Sequence, residues 1–164
     1  MMNFVKCKLL IFIALVVCFG RVDADEFQQK ALSFLKQTSQ LYKNKQYTEA
    51  IATAKHALAM AEKSDQPQQK TIAAAIAKIA INCRLAKDIE CALEFYQKSI
   101  EQYQALGWEK KETRRWHILA DLYQQKQQLP EQLNALNKAL ALEVAKALPA
   151  AALTHLKIGW NHDA

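Results

Sequence analysis

From residue 27 onward, apolar residues return at intervals of three and four. That spacing lays one apolar stripe along a helix. It predicts helices over 27–44, 47–63, 67–86, 89–106, 109–127, 130–147 and 150–161. The breaks carry residues that start or stop helices. Pro67, Pro130 and Pro149 fall where a helix begins and a missing N–H costs little. Asp65 and Asp88 stand at N-cap positions. Gly107 follows Leu106 as a C-terminal stop, and Asn44 is its expected counterpart in the first hairpin. Connections this short predict antiparallel neighbours.

The stripes repeat. Trp116-x2-Leu119-Ala120-x2-Tyr123 leads into Pro130 and the ladder Leu129, Leu133, Leu136, Ala139, Leu140. Forty residues earlier, Ile76-x2-Ile79-Ala80-x2-Cys83 precedes Ala92-x3-Tyr96-x2-Ser99-Ile100. A further 42 residues back, Phe34-x2-Gln37-Thr38-x2-Leu41 precedes Tyr47-x2-Ala50-Ile51-x2-Ala54-x2-Ala57-Leu58. Thirty-nine residues beyond Trp116 comes His155-x2-Ile158-Gly159. Small residues (Ala50, Ala57, Ala80, Ala92, Ser99, Ala120, Ala139) are expected where helices approach closely. Phe34, Ile76, Tyr96, Trp116 and Leu136 are expected to fill the gaps between neighbouring hairpins. No hairpin can bury its apolar face alone, so stacking is expected to close the core.

This pattern resembles the tetratricopeptide repeat (TPR) family, whose motif has Trp-x2-Leu-Gly-x2-Tyr on the first helix and Ala-x3-Phe on the second. Trp116, Leu119 and Tyr123 match, with Ala120 for glycine; Ala50 and Ala92 match the second-helix alanine, and Tyr96 stands for the aromatic. The period of 39–42 exceeds the family's usual 34, as in longer-helix variants of exported bacterial proteins. Gln132 replaces the alanine of the third hairpin.

The resemblance implies an all-α, right-handed superhelical solenoid. Three hairpins (27–63, 67–106, 109–147) and a capping helix (150–161) would form one repeat domain over 25–164. It also implies that the first helices line a concave groove for a partner peptide or helix. The matching positions are Lys36, Ser39, Tyr42 and Lys43; then Lys78, Ile81, Arg84 and Leu85; then Arg114, His117, Asp121, Gln124 and Gln125. Trp160 would close the end. The four basic positions Lys43, Lys78, Arg84 and Arg114 suit carboxylates, and Tyr42, Ile81 and Leu85 add apolar contact. A protein partner with an acidic and apolar segment is therefore expected. An alternative is a sensory or regulatory module acting with a separate signalling protein.

The N-terminus changes where this would happen. Lys6 and Lys8 precede the uncharged apolar run Leu9–Phe19, and Val22-Asp23-Ala24 follows. This order predicts a signal peptide over 1–24, cleaved after Ala24, and a periplasmic or secreted product. Lipidation at Cys18 or an uncleaved anchor are the rival readings, and the only expected membrane attachment. Beyond residue 24 the chain carries 19 Lys/Arg against 15 Asp/Glu. These charges are spread along helix faces, which points away from nucleic acid.

Candidate chemistry is sparse. His56, His117, His155 and His162 share no metal-binding spacing, and there is no Cys-x2-Cys, nucleophile elbow or phosphate loop. No enzyme activity, cofactor or metal is expected. Cys83 and Cys91 remain after the signal, near facing helix ends in an oxidising compartment. A disulfide requires Cα atoms within about 7 Å. Cys83 occupies a core position and Cys91 one that usually points outward, so bonded and free thiols both stay open.

Overall fold

A computed structural model describes residues 26–64 and 67–147. The predicted signal segment, Asp65, Pro149, the capping helix over 150–161 and Trp160 lie outside the described residues. Six helices make up the rest: α1 (26–43), α2 (Tyr47–Lys63), α3 (Gln69–Leu85), α4 (Ile89–Ala105), α5 (Glu109–Gln125) and α6 (Leu129–Ala147). Among the described residues there is no strand. The fold is all-α, and within each unit described below the helices pack on their sequence neighbours in the manner of a helical repeat.

The largest shifts in predicted boundaries, two residues each, are at the end of α5 and at the start of α3. The N-cap of α3 is Gln68, and Pro67 stands just ahead of it. The amides of Thr71 and Ile72 both donate to the Gln68 carbonyl. Pro130, by contrast, is the second residue of α6, as its missing N–H allows.

The corners share one construction. Lys45, Lys87 and Gln127 adopt left-handed backbone with φ of 61°, 62° and 57°. Each donates to the carbonyl three residues back, on Tyr42, Arg84 and Gln124. The next residue in each case donates to the carbonyl five back, on Leu41, Cys83 and Tyr123. This paired reversal satisfies carbonyls that a helix end would otherwise leave bare. The three sites are 42 and 40 residues apart, the same intervals as the side-chain repeat. Gly107, with φ of 65°, makes the fourth such corner, and there the residue type suits the conformation. In the first hairpin the reversal falls on Lys45, not on the expected Asn44. Asn44 still closes a helical bond to the Gln40 carbonyl, so the chain turns one residue later.

The structure divides into two compact units, one ending at Asp88 and one beginning at Ile89. The division falls inside the second predicted hairpin.

In the first unit, α2 presents Ala50, Ala54, Ala57 and Ala61, all fully buried. Spacings of four, three and four place these methyl groups on one stripe, so α2 can lie close to its neighbours. Ala57 packs with Leu35 of α1 and Ala75 of α3, flanked by Phe34, Leu58 and Ala74. The Phe34 ring lies 5.8 Å from the His56 ring. Helix α3 is buried round most of its circumference, through Ile72, Ala73, Ile76, Ile79 and Ala80 among others. Gln28 Nε2 donates to Thr71 Oγ1 at 2.8 Å, and Lys78 Nζ donates to Ser39 Oγ at 2.7 Å. Both contacts advance in the same direction along the two helices, so α1 and α3 run parallel with α2 returning between them.

In the second unit, Gln97 Nε2 donates to the Tyr123 hydroxyl at 2.8 Å, and Gln104 Nε2 to Glu112 Oε1 at 2.7 Å. Lys126 pairs with Glu90. These crossings make α4 and α5 antiparallel. Tyr96, Leu119, Ala120 and Leu122 form the buried centre, and Ala135 and Ala139 seat α6. The Arg115 guanidinium lies 5.3 Å from the Tyr96 ring centroid and 5.6 Å from that of Tyr103. Leu136, expected to fill an inter-hairpin gap, is instead 38% exposed, and Leu129, Leu133 and Leu140 are 52–60% exposed. Ala135 and Ala139 take the packed side of α6 and turn this leucine stripe outward.

Candidate functional site

The eight candidate positions of the first unit fall on the parallel pair α1 and α3. Lys36, Tyr42, Lys43 and Arg84 are exposed; Ser39, Lys78, Ile81 and Leu85 are half-buried. Ser39 and Lys78 are brought into direct contact. The Ser39 hydroxyl donates its own proton to the Leu35 carbonyl at 2.9 Å, which leaves an oxygen lone pair for Lys78. Burial holds the Lys78 ammonium below the ordinary lysine range. Among the described residues no carboxylate pairs with it, and its partner is a neutral hydroxyl. The Tyr42 ring, 6.3 Å from Tyr47, adds an exposed aromatic surface.

Asn82 was not singled out by the sequence reading. It is buried one turn beyond Lys78, donates from Nδ2 to the Lys78 carbonyl at 2.7 Å, and has Oδ1 unpaired. The signal was present: an amide interrupts the apolar register between Ile79 and Cys83.

On α5 of the second unit, Arg114, His117, Asp121, Gln124 and Gln125 are all exposed. His117 is engaged within the unit, with Nε2 at 2.9 Å from Glu143 Oε1 of α6.

A separate cleft of about 440 Å³ opens between α4, α5 and α6. None of the candidate groove residues lines it. Trp116, expected to fill a gap between hairpins, and Tyr123, a motif position, do so together with polar residues of α4 and α6. Behind it, the buried Glu112 accepts from Gln104 Nε2 at 2.7 Å and from Trp116 Nε1 at 3.1 Å. A polar run on α4 (Gln97, Glu101, Gln104) at helical spacing was the available clue.

Cys83 is buried, Cys91 half-buried, and both are disulfide-bonded. Alkylation of the unfolded, unreduced protein is therefore expected to leave both unlabelled, and labelling of both after reduction. Peptide mass spectrometry checks this; label on either without reductant contradicts it. Among the described residues, no group of three or more His, Cys, Asp or Glu is placed to hold a metal ion. No described helix is long and apolar enough to cross a membrane.

No family model matches the chain, and no curated protein matches it. Among solved structures, BtubC (BKLC) from P. vanneervenii is similar, with a TM-score of 0.56 at 16% identity. The match covers 77% of this chain and 55% of that one, so the aligned part is about half the length of BtubC. At that identity the likeness concerns the helical fold alone.

Proposed function

We propose that the chain is an exported, TPR-like binding scaffold, and that the α1–α3 face of its first unit holds an acidic and apolar segment of a protein partner. The observation that carries this is the half-buried Lys78 ammonium, which among the described residues is bound only to the Ser39 hydroxyl. A partly desolvated cation without a counter-charge gains more from an incoming carboxylate than a fully hydrated one does. Lys36 and Lys43 add positive charge, while Tyr42, Ile81 and Leu85 offer apolar contact beside it. Disulfide-bonded cysteines suit the oxidising compartment that the N-terminal sequence predicts.

Peptide display against the purified protein is expected to enrich sequences with Asp or Glu next to Leu or Phe. Lys78→Met should weaken the selected peptide by roughly tenfold or more, the loss typical of a charged hot spot. Its melting temperature should stay level or rise, since a poorly solvated charge has been removed. Equal binding by Lys78→Met, or enrichment without acidic residues, defeats the reading.

The pH dependence has a definite sign. Burial makes Lys78 lose its proton at lower pH than an ordinary lysine. Peptide affinity should accordingly fall with rising pH before the ordinary lysine range is reached. Stability moves the opposite way. The unfolded chain holds this proton more tightly, so the residue's contribution to folding improves as pH rises through the lowered pKa.

A further inference from the structure

The hydrogen bonds around the α4–α5–α6 cleft decide what it can accept. Trp116 Nε1 is engaged by Glu112, Gln104 Nε2 by the same carboxylate, and Gln97 Nε2 by the Tyr123 hydroxyl. The indole N–H of Trp116 and one N–H each of Gln97 and Gln104 are thus turned to internal partners, while Asn134 adds an amide that can donate or accept. For a ligand the lining offers the ring surface of Trp116 and Tyr123, the side-chain oxygens of Gln97, Gln104 and Asn134, and two carboxylates. Glu101 stands on the α4 wall and Glu131 on the α6 wall. Among the described residues of the lining, Lys138 is the one basic side chain. Trp116 and Tyr123 are seven residues apart on α5, roughly 10 Å along the helix axis. That length accommodates an extended side chain rather than a compact ion.

We propose that this cleft is a binding site for an arginine side chain of a peptide or protein ligand. A guanidinium is planar, stacks on aromatic faces, and donates in a fork to carboxylate and amide oxygens. It matches a floor of rings bounded by acceptors. An ammonium would meet the carboxylates but could not stack. The site differs from the α1–α3 face in unit, in helices and in the sign of its ligand, and does not depend on that reading.

The test titrates the protein with the blocked tripeptide Gly-Arg-Gly and with its lysine and glutamate counterparts. The readouts are the indole N–H resonance of Trp116 and calorimetry. A single anchored side chain is expected to bind with Kd on the order of 0.1–1 mM. The double substitution Glu101→Gln, Glu131→Gln should weaken it by roughly tenfold or more, and Lys138→Gln should strengthen it. All three residues are exposed, so these isosteric or near-isosteric changes leave folding intact. Lys78→Met should have no effect here, which separates this site from the α1–α3 face. Absence of a saturable Trp116 shift up to about 10 mM overturns the proposal. So does equal binding of the glutamate or lysine peptide, or indifference to the double substitution.

Discussion

Replacing Tyr96 by alanine is expected to destabilise the protein by about 3–5 kcal/mol. The side chain is fully buried on α4, and the Arg115 guanidinium lies against its ring. Its surroundings cannot easily collapse into the vacated space. Helices α4 and α5 are tied at Glu90–Lys126 on one side of the hole and at Gln97–Tyr123 and Gln104–Glu112 on the other, so their separation is fixed on both sides. The substitution also removes the ring on which Arg115 rests, whose Nε is already buried without a partner. For a chain of this size the loss corresponds to a fall in melting temperature of roughly 10–20 °C. Tyr42→Ala is the matched control, because Tyr42 is 45% exposed. It should change stability by less than about 0.5 kcal/mol. Comparable melting of the two variants would mean that Tyr96 is not the centre of its unit.

The second large effect comes from adding volume. Ala57→Leu drives three extra carbons into the junction of α1, α2 and α3, where Ala57 meets Leu35 and Ala75. Overpacking of this kind costs about 1–3 kcal/mol. Leu35→Ala alone should cost about 2–5 kcal/mol through the opposite defect. Combined, the two exchange volume across one contact, and the pair should be more stable than the sum of its parts predicts. Chemical denaturation of all four proteins measures the coupling. Additivity within about 0.5 kcal/mol would show that the two residues do not share a contact, contrary to the packing described.

These two experiments address the features that were most legible in the sequence. Helix positions followed from apolar spacing because the helices other than α3 have a clear buried stripe, as in Ala50, Ala54, Ala57 and Ala61. The repeat followed because the same small residues recur where helices touch, and the backbone reversals at Lys45, Lys87 and Gln127 recur with them. The identity of those reversal residues was not legible. Two lysines and a glutamine carry no signature of left-handed backbone, so the first corner was expected one residue early, on Asn44. The outward stripe of α6 was also hidden, since Leu129, Leu133, Leu136 and Leu140 read as core by any apolar count. Only the burial of Ala135 and Ala139 shows which side is packed.

The candidate site was partly legible. The resemblance placed Ser39 and Lys78 on one face, but the hydrogen bond between them depends on how closely α1 and α3 pack, which no spacing in the sequence encodes. The cleft of the second unit was missed for a physical reason. Trp116 and Tyr123 have ordinary packing roles in such a repeat, and only the pairing of their polar atoms reveals ring surface left over for a ligand.

The paired reversals at 44–46, 106–108 and 126–128 leave no slack between the helices they join. Each corner has three residues outside the helices, with their amides already committed. A helix joined this way cannot swing open without first breaking backbone bonds at its end. Surfaces within each unit are thus set before any partner arrives, and association need not supply the ordering entropy that a flexible segment would lose on docking.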